Sequence, residues 1–406
     1  MTTPISNPSK YLGNELLYLG KVLAQESWSA TGGGWTQNLE QEFSKKLGSR
    51  YGVAFNSGTS TLHAALEAVG VGPGDEVISP TITVIMDTTA TLHANAVPVY
   101  ADVDPDTFNI DPADVARKIG PRTKAIIAVS IYGLSPDMDP ILELARAHGI
   151  AVIEDCAQCV LGTYKGRMVG TMGDIASFSF ENTKHISCGE GGMIITDNEA
   201  LAEKCRKIGG HGFKNLRAEE GRIRLNQDVF QNPDYKRHDT LGWNYRMPEF
   251  TAAVALAQLE RVDELVELRK KSAAILINEM ASCDYLIPQR TPDGYVNSYY
   301  SLGVKYLGAD AIGVPWKEFR AEYIRQGGDG IYGAWSVPYL EPVIAERDFV
   351  KRLPDVYEKV HYPKGLCPVA ERIQPQLMQF KTNYRDLGLA EDKARALQRT
   401  IRKFSS

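Results

Sequence analysis

No apolar run in the chain approaches the roughly 20 residues that a membrane helix needs, so no membrane association is expected. The start, Met1-Thr-Thr-Pro-Ile-Ser6, has no basic segment leading into an apolar stretch, so no secretory signal is expected either. Cysteine is sparse, with six residues scattered at 156, 159, 188, 205, 283 and 367. That excludes a disulfide scaffold and suits a reducing cytoplasm. Cys156 and Cys159 form a single C-x-x-C with no second pair, so two zinc ligands are missing and no metal site is expected. The plainer reading is small residues packed at a strand end. No G-x-G-x-x-G follows the first strand, which counts against a nicotinamide dehydrogenase. Neither sign of charge dominates: 45 Lys and Arg against 50 Asp and Glu give a net charge of -5. With no basic stripe, nucleic acid is not an expected partner.

What is present is a chain of 406 residues, enough for two or three domains whose cores need no staples. Residues 1–30 read as a polar arm with little pattern, and Thr31-Gly-Gly-Gly-Trp35 as a flexible loop. Leu39, Phe43 and Leu47 then mark a helix over 36–47. From there strand-like and helical stretches alternate. The strands expected are 52–55, 76–79, 97–100, 125–129, 150–153, 176–180 and 192–196; helices are expected at 62–69, 141–148 and 199–208. Such alternation predicts an α/β domain with a largely parallel sheet. The polar segment 215–239 reads as a mobile loop, 249–269 as one long helix, and the chain as ending in a helix over 391–403. The expected division is an arm (1–30), a large domain (31–264) and a smaller C-terminal α+β domain (265–406).

Three features carry chemistry. The loop Asn56-Ser-Gly-Thr-Ser60 joins a strand to a helix, a setting whose amides and helix N-terminus favour an anion. Glu154-Asp155 ends a buried strand, where ligands of parallel sheets bind; a helix cap or surface turn is the competing reading. Lys184 follows the strand Ser177-Phe-Ser-Phe180 and precedes Gly189-Glu-Gly-Gly192. A lone loop lysine is ordinarily solvated. Together the three supply what pyridoxal 5'-phosphate (PLP) requires: an amine for its aldehyde, an acid for its pyridine nitrogen, and donors for its phosphate.

The ordered motifs Asn56-Ser-Gly-Thr-Ser-Thr-Leu62, Ile131-Tyr-Gly133, Asp137-Met-Asp139, Glu154-Asp-Cys-Ala-Gln158, Ser177 to Lys184, Gly189-Glu-Gly-Gly192, Gly242-Trp-Asn-Tyr-Arg-Met247 and Cys367-Pro-Val-Ala-Glu371 span nearly the whole chain. They resemble the DegT/DnrJ/EryC1/StrS family of PLP-dependent sugar aminotransferases. The resemblance implies the fold-type I architecture, a large mainly parallel sheet domain plus a smaller domain. It implies that Lys184 is the Schiff-base lysine, Asp155 the acid at the pyridine nitrogen, and Gln158 the amide near the ring hydroxyl. Gly58, Thr59, Ser60 and Ser179 match phosphate contacts. Asn244 matches a residue that reaches the partner subunit's cofactor, which implies a homodimer with shared sites.

One position departs from the pattern. Val84 stands where the family usually sets an aromatic side chain against the ring. His185, His211, Arg237 and His238, with Arg246, are candidates for the substrate side, against readings as packed or solvated side chains. The implied reaction moves an amino group, from glutamate, to a keto or aldehyde carbon of a sugar. The sugar is a nucleotide-linked keto-hexose or an octulosonate-type sugar acid, serving surface polysaccharide such as lipopolysaccharide. A PLP-dependent dehydratase or deaminase and a non-catalytic PLP-binding regulator are the alternatives. Lys184 weighs against the dehydratase, because relatives of that type carry histidine there.

Overall fold

The computed structural model describes residues 10–25, 34–221 and 225–404. Its centre is a seven-stranded sheet. The strands are β1 (Tyr51–Phe55), β2 (Glu76–Pro80), β3 (Val97–Ala101), β4 (Thr123–Val129), β5 (Ala151–Asp155) and, past the short β6 (Thr163–Tyr164) and β7 (Arg167–Met168), β8 (Ile175–Ser179) and β9 (Gly192–Thr196). Their spatial order is β1-β9-β8-β5-β4-β2-β3. β9 runs antiparallel to both β1 and β8, and the other pairings are parallel. All strands but β9 therefore share one direction. The near-continuous apolar runs follow from this: β4 is buried from Ala125 to Val129 because helices cover both faces.

The helices up to residue 280 are α1 (Glu15–Leu23), α2 (Gly34–Leu47), α3 (Gly58–Ala68), α4 (Met86–His93), α5 (Pro112–Lys118), α6 (Met138–His148), α7 (Glu199–Gly209), α8 (Gln227–Gln231), α9 (Glu249–Leu259) and α10 (Val262–Met280). The smaller sheet is antiparallel, in the order β10 (Leu286–Pro288), β12 (Leu302–Tyr306), β14 (Leu377–Phe380) and β13 (Tyr332–Gly333). Between them, β11 (Tyr295–Val296) joins β6 and β7 instead. A C-terminal helix, Leu387–Phe404, covers the smaller sheet. The α/β class and the two sheets agree with expectation. Among the described residues no helix is long and apolar enough to cross a membrane.

Four local readings differ from the structure. The arm is not featureless: α1 lies along α9, with Gln258 Nε2 donating to Glu15 Oε1 at 2.6 Å. Its leucines Leu16, Leu17 and Leu23 are exposed, so no core-facing stripe announces it. Residues 1–9 and 26–33, including most of the glycine-rich segment, lie outside the described residues. The single helix expected over 249–269 is two, broken at Arg261 (φ -108, ψ 7), whose guanidinium turns back to Glu264 in the first turn of α10. The segment read as a mobile loop carries α8 and is cross-tied, Lys214 N–H donating to Arg237 O at 3.0 Å and Asn215 Nδ2 to Tyr235 Oη at 2.6 Å. Finally, α10 starts in the apolar cluster of the large sheet (Val262, Val266) and ends in that of the small one (Leu276, Met280). A division at 264/265 thus runs through a helix, and Val337, Tyr339, Tyr357 and Ile373 pack back on the large-sheet core.

Candidate active site

Side chains alternate along a strand, and at the end of β5 this separates two neighbouring acids. Glu154 turns to one face, where its carboxylate accepts N–H bonds from Gly170, Met172 and Gly173 at 2.6–2.8 Å. Burial raises its pKa, opposed by those three amides. Asp155 faces the other side, where its Oδ1 accepts from Ala157 N–H at 2.8 Å. Burial raises the pKa of Asp155 also, opposed by that amide and by the positive charge of Lys184. Only Asp155 is therefore near the lysine.

Lys184 sits in the loop after β8. Its Nζ lies 4.5 Å from the centroid of the Tyr300 ring. Arg269 of α10 holds the loop from beneath: Nη2 donates to Thr183 O at 2.7 Å and Lys184 O at 3.1 Å, and Nη1 to Tyr300 O at 2.6 Å. Gln158, three residues after Asp155, is buried, its Oε1 accepting from Tyr132 N–H at 2.8 Å.

The anion loop is built by a cap and a close approach. Ser57 Oγ accepts from Ser60 N–H at 3.1 Å, and Ser60 Oγ also meets Asn56 Oδ1 at 2.8 Å. This capping leaves the first-turn amides at Gly58 and Thr59 without intrahelical partners. A Cβ on Gly58 would lie 2.8 Å from Ser179 Cβ, so glycine lets the loop seat against the end of β8. Thr61 Oγ1 and Ser177 Oγ, 2.6 Å apart, lock the same contact. Val84 is half-buried in the turn between β2 and α4. An amine, a buried acid, an amide and a helix N-terminus with serine hydroxyls thus gather at the carboxyl ends of β1, β5 and β8, a residue set that fits PLP.

The proposed substrate-side residues do not all gather there. His185 is fully buried, and its Nε2 faces Ser298 O at 3.0 Å, away from the open side. Burial and the nearby Arg269 hold its pKa well below the usual histidine range. Arg237 is turned into its own loop, Nη2 donating to Phe230 O at 2.5 Å. His238 Nδ1 donates to His211 O at 2.8 Å, and its ring lies 4.5 Å from that of Phe213. Arg246 is beside β1, bridging to Phe55, and burial lowers its pKa. Asn244 is exposed on the same segment, next to the exposed side chains of Leu241 and Trp243. Cys156 and Cys159 are buried free thiols in the apolar cluster behind β8.

Sequence reasoning missed Asp87, Arg269 and Tyr300. It also missed a cleft of about 580 Å³ beside the lysine loop, walled by Tyr300, Tyr332, Trp335 and Lys381. That size suits a small-molecule ligand. A lone acid after the stretch Thr81-Ile-Thr-Val-Ile-Met86 was the one available signal for Asp87.

A parallel sheet that delivers an acid and a lysine loop to one edge, with a capped helix N-terminus beside them, is the architecture of fold-type I PLP-dependent aminotransferases. The chain belongs to the DegT/DnrJ/EryC1/StrS aminotransferase family, whose pattern matches residues 13–306. It is 42% identical over 259 residues to a GDP-perosamine synthase of Caulobacter vibrioides. That match covers 64% of this chain and 65% of the relative, just under two thirds of its length. Among solved structures, an aminotransferase from Psychrobacter cryohalolentis superposes with a TM-score of 0.84 at 27% identity, covering 100% of both chains. DesV from S. venezuelae superposes with a TM-score of 0.81 at 28% identity, covering 95% of this chain and 94% of that one.

Proposed function

We propose that this protein transfers an amino group from glutamate to the keto carbon of a nucleotide-linked hexose, working with PLP as a cytoplasmic homodimer. The observation that carries the reading is the gathering of Lys184, Asp155, Gln158 and the Gly58–Ser60 turn on one edge of the sheet. Identity to a GDP-perosamine synthase supports a GDP-linked keto-hexose as the acceptor.

In this reading PLP, when bound, supplies the aldehyde that carries the amino group and a ring that accepts electrons from the substrate carbon. The chain's residues do the rest. Gly58, Thr59 and Ser60 offer first-turn amides and a hydroxyl to the phosphate, with Ser179 beside them. Asp155 would keep the pyridine nitrogen protonated, and Gln158 would orient the ring hydroxyl. Val84 would offer the ring apolar surface in place of an aromatic face. Lys184 would hold the cofactor, and its Nζ would take and return the proton at the reacting carbon of the substrate. The cleft lined by Tyr332 and Trp335 takes the sugar. Asn244, exposed beside Leu241 and Trp243, completes the partner subunit's phosphate site. His211 and His238 stand at the rim of that segment; Arg237 serves the packing of its own loop, and His185 that of the lysine loop against Ser298.

The test is amination of a GDP-linked keto-hexose with glutamate and PLP, read by mass spectrometry, beside an oxidised octulosonate and a plain 2-keto acid. A mass gain on the hexose supports the reading. Amination of the octulosonate alone moves the acceptor to a sugar acid, and amination of the plain keto acid alone ends the sugar assignment. Lys184→Ala must abolish each activity, and borohydride must trap PLP on the peptide containing Lys184.

A further inference from the structure

Behind Asp155 lies a second acid that the mechanism has not used. Asp87 sits in the first turn of α4 and is fully buried. Thr83 Oγ1 donates to its Oδ2 at 2.6 Å. Its other oxygen, Oδ1, finds no hydrogen-bond donor among the described residues. The carboxyl of Asp87 lies within hydrogen-bonding range of the carboxyl of Asp155. No lysine, arginine or histidine pairs with Asp87 among the described residues.

We propose that Asp87 is a positioning residue: its carboxyl donates a hydrogen bond to Asp155 and so fixes the oxygen that Asp155 presents to the pyridine nitrogen of PLP. The proposal rests on the assignment of Asp155 to that nitrogen. Two carboxyls in contact in a dry site do not both ionise, because each charge is desolvated and repels the other. The neighbours decide which one keeps the proton. Asp155 has the Ala157 N–H at 2.8 Å and the field of Lys184. Asp87 has one hydroxyl and the modest pull of the α4 N-terminus. From β3, the Tyr100 hydroxyl reaches only Thr88 among the described residues, at 3.2 Å, and burial raises its pKa. Glu154 is on the opposite face of β5. The charge therefore settles on Asp155 and the proton on Asp87, whose pKa is raised well above the carboxylate range by burial and by Asp155. The protonated carboxyl then has a hydroxyl to donate to Asp155, which gives Asp87 the partner that its Oδ1 otherwise lacks.

The experiment compares Asp87→Asn and Asp87→Ala with wild type. Asparagine keeps a donor and cannot ionise. Dissociation constants for PLP, from quenching of apoprotein fluorescence, should lie within about threefold of wild type for Asp87→Asn. They should rise about tenfold or more for Asp87→Ala, one charged hydrogen bond lost. The visible band of the bound cofactor should keep its wild-type pH midpoint in Asp87→Asn and shift it in Asp87→Ala.

A second readout uses the apoprotein, since Asp87→Ala opens a buried gap. A carboxyl whose folded pKa is raised contributes stability at low pH that is lost as pH climbs from the ordinary carboxylate range through the raised value. The thermal midpoint of wild-type apoprotein should fall over that window, and that of Asp87→Asn should fall less. If Asp87→Asn weakens PLP as much as Asp87→Ala does, or if the two apoprotein profiles run parallel, the shared proton is wrong. If Asp155→Asn leaves PLP affinity and the visible band unchanged, the assignment of Asp155 itself fails first.

Discussion

Replacing Arg269 should slow the enzyme without unfolding it, and the reason is a near cancellation. Its guanidinium is buried with no carboxylate partner among the described residues, and Arg385 adds a second positive charge close by. Burial and Arg385 push its pKa from 12.5 down to about 9. At about 1.4 kcal/mol per factor of ten, the fold penalises the charged side chain by about 5 kcal/mol. Opposing that are its bonds to carbonyls. Tyr300 O retains the Thr382 hydroxyl at 3.0 Å when Arg269 is removed, but Thr183 O and Lys184 O lose their donor. Two such charged hydrogen bonds contribute about 3–6 kcal/mol. Arg269→Met therefore leaves stability within about 2 kcal/mol of wild type. It also frees the backbone of Lys184, and in the role proposed for Lys184 an amine displaced by about 1 Å slows turnover by about tenfold to a hundredfold. Arg269→Lys should be the less stable of the two, because it keeps the buried charge without the fork that reaches two carbonyls. Thermal midpoints by circular dichroism and kcat at saturating PLP make the test. A lysine variant more stable than the methionine one, or a methionine variant with wild-type kcat, refutes the reasoning.

Three further outcomes follow from the site. On the proposed role of Asp155, Asp155→Asn should still bind PLP, though more weakly and with an altered visible band, and lose at least about a hundredfold in kcat, since an amide would not hold the pyridine nitrogen protonated; fluorescence titration and steady-state rates separate the two. Glu154→Ala strands three buried N–H groups and should destabilise by about 3–5 kcal/mol in denaturant titration, with Glu154→Gln clearly milder. Mixing Lys184→Ala with a severe Asn244 variant should restore activity through hybrid dimers that regain one intact site; a fully active monomer in sedimentation would end the shared-site reading.

The alternation of strands and helices was legible because it rests on local apolar runs: β9 was placed residue for residue, and β4 and β5 to within two. What local pattern does not carry is an element stabilised by a single distant partner. Helix α1 shows its leucines to the outside and is tied to α9 by Glu15 and Gln258, 243 residues apart, so no periodicity reveals it. The break at Arg261 has neither proline nor glycine to mark it.

The site divides along the same line. Glu154 and Asp155 are adjacent in sequence yet do unrelated things, one holding three loop amides and the other facing Lys184, because a strand turns consecutive side chains to opposite faces. Lys184 and His185 repeat the lesson in a loop. Their adjacency made the histidine a candidate for the substrate side, but its ring turns inward to Ser298 O while the lysine turns out over Tyr300. In both pairs the residue at the open face is the one whose charge has a neighbour to meet there. The converse case is Asp87, which lies 68 residues from Asp155 and carries no motif. Its signal is physical: a carboxyl with no local reason to be buried is buried beside one that has such a reason.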